Sequence, residues 1–199
     1  MGIMDTRDKI LNASLMLFSK KGYLGATTKE IARKAGIAEV TLFRHFPSKA
    51  VLFEETINSY SFLFTLKGLL PELIDMDYRD ALSKIAGIFL SKLSERKELI
   101  RIMQAEIHTY PTTVKEIYQS FIGEIFKTLA SYFREMQEKK VLMGFNPELG
   151  ARAFLGMFFS YFNAQKFMVQ RQHRRSDDSE VIVEYVNIFI NGTLREDQR

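Results

Sequence analysis

Residues 27–49 read TTKEIARKAGIAEVTLFRHFPSK, and this stretch predicts two short helices joined by a tight turn. The first of them ends at Gly36, because glycine takes the left-handed backbone conformation that stops a helix at low steric cost. The second ends near Pro47, since proline disfavours helical geometry in the residue before it. Two helices packed across such a turn form a helix-turn-helix, whose second helix is suited to the major groove of DNA.

The flanking sequence supplies helix caps and a small core around this stretch. Thr27 and Glu30 have the spacing of a capping box at the start of its first helix. Ser48 caps the helix that follows the stretch of residues 27–49. The helix that precedes this stretch ends at Gly22. The apolar residues spaced to close one core are Ile10, Leu17, Ile31, Ala32, Ala35, Ile37, Leu42, Phe46 and Leu52.

The chain divides into two predicted domains. We expect a helix-turn-helix domain over residues 1–53, with a fourth helix, about residues 48–66, that connects it to the remainder. Gly68 and Pro71 interrupt the helical pattern beyond it. Residues 67–199 predict a larger helical domain, because no strand-like alternation bounded by hairpin turns is convincing there. The fold class is therefore all-α, with about nine helices in the whole chain.

The excess positive charge lies in the predicted helix-turn-helix domain. The chain of 199 residues carries 28 Lys and Arg against 24 Asp and Glu, which gives a net charge of +4. Residues 1–53 hold nine of these basic residues and four of the acidic ones, for +5, and the remainder holds 19 and 20, for −1. A protein that must neutralise DNA phosphates distributes its charge in this way.

Composition excludes several classes of site. The chain has no cysteine, so it lacks disulfides, thiolate metal sites and cysteine nucleophiles. His108 and His173 stand without partners at metal-ligand spacing. No apolar run approaches the roughly 20 residues that cross a bilayer, and no secretory signal pattern is present. We expect a cytoplasmic protein without a metal or cofactor.

The sequence does not favour an enzyme. It offers no nucleophile paired with a base, no paired carboxylates in an apolar setting and no glycine-rich phosphate loop. The alternative from another class is a helical lipid-binding or lipid-modifying protein, whose basic amino-terminal helices dock on an anionic membrane. The two helices of the opening stretch are too short and too tightly turned to lie usefully on a bilayer.

Apolar, glycine, threonine and lysine positions between Ile10 and Leu52 agree in register with one known family. They are Ile10-Leu11, Leu17-Phe18, Lys21-Gly22-Tyr23, Thr27-Thr28, Ile31-Ala32, Ala35-Gly36-Ile37, Thr41-Leu42-Phe43, His45-Phe46 and Ser48-Lys49. The segment resembles the TetR family of bacterial transcriptional regulators. The resemblance implies a homodimer with an amino-terminal DNA reader and a divergent helical domain for ligand binding and dimerisation.

The resemblance also implies which residues contact DNA. Thr28 and Lys49 would each meet a phosphate, at the starts of their helices. Residues 39–45 would form the recognition helix, on which Arg44 either pairs with guanine or contacts phosphate only. The candidate DNA-binding residues are Thr27, Thr28, Lys29, Ala38, Glu39, Val40, Thr41, Phe43, Arg44, His45 and Lys49.

Three positions of this helix depart from the common family pattern. Glu39 stands where a small polar or basic residue is frequent, and an acid there repels phosphate unless it accepts from a cytosine amino group or caps the helix. Val40 replaces a small residue and has the bulk to touch a thymine methyl group. Phe43 replaces a common tyrosine and so lacks its hydroxyl. We expect these changes to alter operator preference.

Aromatic and methionine side chains recur at helical spacing through the larger domain. Thirteen of the 17 phenylalanines follow residue 54. Packed core is the default interpretation for any single residue, and a pocket that accepts a small apolar molecule is the functional one. The family resemblance adds weight to the pocket. The candidate ligand-binding residues are Phe89, Met103, Phe121, Phe126, Phe154, Met157, Phe158 and Tyr161.

The last two helices carry the candidates for a dimer interface. Small residues repeat every four positions on the penultimate helix, which lets another helix approach closely. The last helix has more apolar positions than one neighbour can cover. Burial within one monomer is the alternative. The candidate interface residues are Gly156, Ser160, Ala164, Val181, Tyr185, Ile188 and Phe189.

Together these features predict a ligand-responsive transcriptional regulator, most often a repressor in proteins of this appearance. As a homodimer it would bind a pseudo-palindromic operator in double-stranded DNA, with two recognition helices about 34–36 Å apart. A small apolar effector would tilt the fourth helix and change that spacing.

Overall fold

The structure, a computed structural model, describes residues 5–59, 61–168 and 177–195, so His173 lies outside the described residues. Within these ranges the chain forms ten α-helices, and the all-α prediction is confirmed. They are α1 (Thr6–Gly25), α2 (Thr28–Ala35), α3 (Glu39–His45), α4 (Lys49–Asn58), α5 (Phe62–Asp75), α6 (Tyr78–Glu95), α7 (Lys97–Glu106), α8 (Thr112–Glu138), α9 (Pro147–Asn163) and α10 (Asp178–Thr193). A 3₁₀ turn at Ile107–Thr109 follows α7, and a π-helical turn at Ala164–Met168 follows α9.

The helices belong to two compact units. The first contains α1 to α4, α7 and α8 as far as Ile122. The second contains α5, α6, α8 from Gly123 onward, α9 and α10. The first unit is therefore larger than the three-helix domain predicted from residues 1–53, because α7 and the start of α8 complete its core.

The core of the first unit joins residues that are distant in sequence. Its amino-terminal part is formed by the predicted apolar positions of α1 to α4, with Ile10, Ile31, Leu42 and Leu52 fully buried. The residues that α7 and the segment after it add to the same core are Leu99, Met103, Tyr110 and Val114.

Aromatic rings fix the centre of this core. The Tyr23 ring lies edge-on to Phe53 at 5.2 Å and to Tyr110 at 5.9 Å, measured between ring centroids. Phe18 meets Phe53 at 5.2 Å, also edge-on. Such pairs add about 0.5–1.5 kcal/mol beyond the area they bury. They tie the end of α1 to α4 and to Tyr110, which lies two residues before α8.

The predicted caps of the helix-turn-helix are confirmed. Thr27 Oγ1 accepts a hydrogen bond from the Glu30 backbone N–H at 3.2 Å, and Glu30 Oε2 accepts one from the Thr27 N–H at 3.4 Å. Gly36 ends α2 with φ 72° and ψ 32°, which is the left-handed conformation. Ser48 Oγ accepts from the Val51 N–H at 3.2 Å, and this bond caps α4.

The predicted fourth helix at residues 48–66 is instead two helices. The first, α4, ends at Asn58 because Ser59 has an extended backbone with φ −64° and ψ 135°. Asn and Ser side chains compete for backbone hydrogen bonds and favour helix ends, which explains the break. The second, α5, begins at Phe62 and raises the number of described helices to ten, one more than predicted.

The predicted interruption at Gly68 and Pro71 was wrong, because α5 runs through both residues. Pro71 removes a backbone donor, but apolar packing of α5 outweighs this loss of local propensity. Phe62, Leu66 and Leu73 are buried, and the Phe62 ring lies 4.8 Å from that of Phe89 in α6.

The second unit packs around a cluster of phenylalanine rings. Phe133 of α8 lies 5.5 Å from Phe189 of α10, and Phe154 of α9 lies 5.0 Å from the same ring. Phe158 lies 5.2 Å from Phe154. Phe133, Phe154 and Phe158 are fully buried, so they are part of a packed core.

Within the first unit, Gly22 allows a carboxylate to approach the backbone of α1. Its backbone has φ 70° and ψ 179°, a combination that is essentially confined to glycine. A Cβ atom added there would lie 2.7 Å from Glu106 Cδ, which is an overlap. The Tyr110 hydroxyl donates to Glu106 Oε2 at 3.1 Å and holds the carboxylate in place.

Replacing Gly22 should therefore cost more stability than replacing Gly36. Nothing lies within 4 Å of a Cβ atom added at Gly36, so Gly36→Ala costs only the left-handed backbone term, about 1–2 kcal/mol. Gly22→Ala costs more, because alanine is less able to adopt the backbone conformation of Gly22 and because its methyl group must displace the Glu106 carboxylate. Urea unfolding of the two variants measures the difference in free energy.

A double variant isolates the steric part of this effect. Glu106→Ala removes the group that the new methyl group overlaps. The loss of unfolding free energy in Gly22→Ala/Glu106→Ala should therefore be smaller than the sum of the losses in the two single variants. Equal losses of unfolding free energy for Gly22→Ala and Gly36→Ala, together with additive losses in the double variant, would show that the Glu106 carboxylate does not restrict the side chain at position 22.

Candidate nucleic-acid interface

The helix α3 presents one face to the core and the other to solvent. Leu42 is fully buried and anchors α3 in the first unit. Val40 is 69% exposed and Phe43 43% exposed. Arg44 is also exposed, and it follows Val40 by four residues, so the two lie on the same face of the helix. This face is available to enter a groove.

Arg44 is an exposed cation on α3 and remains the predicted candidate for reading a base. Among the residues that the structure describes, no ion pair or side-chain hydrogen bond engages its guanidinium, whereas two other basic side chains of α1 are paired. Arg7 pairs with Glu55 at 2.6 Å, and Lys21 pairs with Glu30 at 2.6 Å. These pairs neutralise two of the acids of the unit.

The start of α2 lies beside the start of α3. The Thr28 hydroxyl donates to Glu39 Oε1 at 2.6 Å, and both side chains are half-buried. Lys29 is exposed next to them, whereas the side chain of Thr27 is occupied by its cap. Ala38 occupies the N-cap position of α3 and no side-chain hydrogen bond caps this helix, so Glu39 does not act as its cap. The sequence pattern gave no sign that Thr28 and Glu39 meet.

Lys49 opens α4 over an aromatic ring. Its Nζ lies 4.5 Å from the centroid of the Tyr23 ring, whose π-face attracts the charge. Burial lowers the pKa of Lys49 from its ordinary value. Tyr23, which packs in the core, thus supports the position of a predicted phosphate contact. Thr41 is half-buried on α3, and His45 is exposed at its end.

Comparison with known proteins matches both parts of the chain. Residues 10–56 match the family model for bacterial regulatory proteins of the tetR family. Residues 80–192 match the model for the carboxy-terminal domain of AefR-like transcriptional repressors. The chain belongs to the TetR family. It is a helix-turn-helix transcriptional regulator that binds DNA, and not an enzyme.

Individual proteins similar to this TetR-family chain agree with the assignment. The uncharacterized HTH-type transcriptional regulator YvkB of Bacillus subtilis (strain 168) is 32% identical over 157 residues, which are 79% of this chain and 81% of YvkB. The nucleoid occlusion factor SlmA of Aliivibrio fischeri (strain MJ11) is 33% identical over 144 residues, 69% of this chain and 70% of SlmA. A protein of Mesorhizobium loti MAFF303099 described as a TetR-family transcriptional regulator has the same fold, with a TM-score of 0.77, 22% identity and coverage of 96% and 97% of the two chains.

The eight predicted ligand-binding residues of this TetR-family regulator divide between the two units. Met103 is buried in the core of the first unit, and Phe121 packs against that core. The other six belong to the second unit, where Phe154 and Phe158 are buried in the ring cluster. Phe89 is buried against Phe62.

The remaining three predicted ligand-binding residues lie nearer the surface of the second unit. Phe126 is half-buried, and the Arg152 guanidinium lies 4.6 Å from its ring centroid. Tyr161 donates to Asp178 Oδ1 at 2.8 Å, and burial raises its pKa above the ordinary value. Met157 is half-buried on α9.

A cleft of about 420 Å³ in the second unit is lined by different residues. They are Ile74, Met76, Asp77, Tyr78, Arg79, Met136, Lys139, Val141, Ile190, Asn191 and Leu194. Both of its basic side chains have partners, since Arg79 donates to the Asn187 side chain and Lys139 lies 3.8 Å from Glu135.

The predicted dimer residues divide between surface and core. Gly156 and Ser160 are exposed, and Ala164 and Tyr185 are half-buried. Ile188 is 61% exposed on α10, whereas Val181 and Phe189 are buried in the second unit. Val183 is 55% exposed on the same helix, and sequence periodicity alone does not show which apolar face a neighbouring helix covers.

No described helix is both long and apolar enough to pass through a membrane.

Replacing Arg44 tests the exposed face of α3. Arg44→Ala should weaken operator binding by about 1–3 kcal/mol and relax the preference at one base position, because the guanidinium fork fits the two acceptors of guanine. Fluorescence anisotropy on operator duplexes with single base-pair changes measures both effects. Arg44→Lys is the matched control, since it keeps the charge but loses the fork.

The two roles of Arg44 give different results. If Arg44 contacts only phosphate, Arg44→Ala weakens binding to every duplex alike, and Arg44→Lys restores most of the affinity without any change in base preference.

Proposed function

We propose that this TetR-family regulator is a repressor that binds a pseudo-palindromic operator as a homodimer and releases it when a small apolar effector binds. The observation that carries the proposal is the joining of an exposed recognition helix to a carboxy-terminal region that matches AefR-like transcriptional repressors over residues 80–192. NalD of Pseudomonas aeruginosa, described as the secondary repressor of the MexAB-OprM multidrug efflux pump, shares the fold with a TM-score of 0.65. This likeness supports the proposed repressor role. Such a regulator acts where the DNA is, in the cytoplasm.

Dimerisation is supported by the exposed apolar residues of α10. Val183 and Ile188 are both more than half exposed. On α9, a Cβ atom added at Gly156 meets nothing within 4 Å, so the backbone there is open to close approach by a neighbouring helix. Four such helices, two from each protomer, would bury these surfaces. A two-fold dimer would present two copies of α3 to successive major grooves.

The apolar effector is supported by the composition of the second unit. Phe154 and Phe158 already contact other rings, so an effector that binds among them must displace them. Cores of this density transmit a displacement to the helices that hold the rings. A coupling of about 1–3 kcal/mol between effector and DNA is enough to change operator occupancy severalfold or more. Phe126, Met157 and Tyr161 are the candidate contacts nearer the surface of this unit.

The decisive experiment measures assembly and DNA binding in the same variants. Light scattering at micromolar concentration should give twice the 23.1 kDa chain mass for the wild type. Ile188→Glu places a charge in the proposed interface and should yield monomers that bind the selected operator far more weakly. Phe64→Glu is the control, because Phe64 is 69% exposed on α5, which is not one of the two helices of the proposed interface.

Several outcomes would reject the proposal. A wild-type monomer, or a dimer unaffected by Ile188→Glu, would remove the proposed interface. Operator binding that does not weaken as salt rises would contradict a phosphate-contacting reader. Flotation of the protein with anionic liposomes, without operator binding, would favour the membrane-docking alternative.

A further inference from the structure

The hydrogen bond between Thr28 and Glu39 determines how α3 can meet a base. Glu39 lies in the first turn of α3, next to the exposed Val40. Its carboxylate accepts the single proton of the Thr28 hydroxyl at 2.6 Å, which fixes the side chain against the start of α2. Within the described part of the chain, no basic side chain lies within ion-pair distance of Glu39. The carboxylate is therefore held in place by one hydrogen bond, and its other acceptor sites have no donor among the described residues.

An unsatisfied carboxylate becomes costly when α3 enters a groove. An ionised carboxylate has about four acceptor sites and no proton to donate, and Thr28 fills one of them. Water satisfies the others in the free protein, because Glu39 is only half-buried. Contact with DNA removes that water, and a desolvated charge without a donor is strongly destabilising. The bound operator must supply a donor at this position.

The major groove offers two donors, and one of them fits better. Cytosine presents its N4 amino group and adenine its N6 amino group, whereas guanine and thymine edges present acceptors, with a methyl group on thymine. On adenine the amino group lies beside the N7 acceptor, which repels the second carboxylate oxygen. On cytosine the amino group lies beside a C–H group, which does not. A carboxylate therefore favours cytosine.

We propose that Glu39 selects a cytosine in each half of the operator, with its carboxylate accepting from cytosine N4, and that Thr28 is the positioning residue that fixes this carboxylate. The inference rests on the operator binding proposed above and adds a specificity-determining residue to it. Glu39 acts mainly by exclusion, because guanine or thymine at its position would leave the carboxylate without a donor.

The test compares base preferences of matched variants. DNA selected from a random pool by the wild type identifies the operator, and four duplexes that differ at the assigned base pair in both half-sites are then titrated at one salt concentration. The wild type should prefer cytosine roughly tenfold to a hundredfold over guanine or thymine. Glu39→Gln should shift the preference to adenine, because a glutamine amide pairs with both N6 and N7. This shift is a gain of binding, which an unfolded variant cannot produce.

Two further variants separate charge and positioning from base reading. Asp8→Asn removes a negative charge from α1 in the same unit, so it should leave the ranking of the four duplexes unchanged. Thr28→Val removes the hydroxyl with little change in shape. It should reduce the ratio of the affinity for the cytosine duplex to the affinities for the guanine and thymine duplexes. Thr28→Ser keeps the hydroxyl and should retain the preference.

The outcomes distinguish this inference from the function on which it rests. If the wild type enriches no sequence, both the proposed operator binding and the role of Glu39 are overturned. If the wild type enriches an operator but Glu39→Gln ranks the four duplexes as Asp8→Asn does, the role of Glu39 alone is overturned. A preference of the wild type for guanine or thymine at every position that Glu39→Gln affects would also overturn it.

Discussion

The packing of α1 against α7 is the contact on which the first unit depends, the unit that contains the helix-turn-helix. Gly22 lets the Glu106 carboxylate approach the α1 backbone, and Tyr110 holds that carboxylate by a hydrogen bond. Tyr23, the next residue after Gly22, packs on Phe53 and Tyr110 and carries Lys49 over its ring. Helix α7, which lies within the region that matches the carboxy-terminal family model, is thereby part of the core that positions the residues predicted to contact DNA. We infer that the DNA reader of this TetR-family protein is not a separate three-helix domain.

The recognition helix itself is short and depends on its surroundings. α3 has seven residues, too few for stable helix formation without tertiary contacts. The fully buried Leu42 side chain packs α3 against the core, and the hydrogen bond from Thr28 to Glu39 joins the first turn of α3 to α2. The exposed residues Val40, Phe43 and Arg44 are therefore presented on a rigid support. Ordering this helix before DNA arrives reduces the entropy lost on binding.

Local chemistry made part of this structure predictable. The capping box of Thr27 and Glu30, the cap at Ser48 and the left-handed Gly36 were all found, because each depends on residues a few positions apart. Contacts between distant residues left no such signal. Nothing in the sequence indicates that Glu106 reaches Gly22, that Thr28 donates to Glu39, or that Met103 joins the core of the first unit.

Native-state hydrogen exchange tests most directly whether α7 belongs to the DNA-binding core. Backbone amides of α1, α4 and α7 are followed at increasing urea concentrations below the unfolding transition. If these helices share one core, their slowest-exchanging amides should open in a single step with the same free energy. Amides of α1 and α4 that open together at a clearly lower free energy than those of α7 would show that the amino-terminal helices unfold as a separate domain, and would contradict the account.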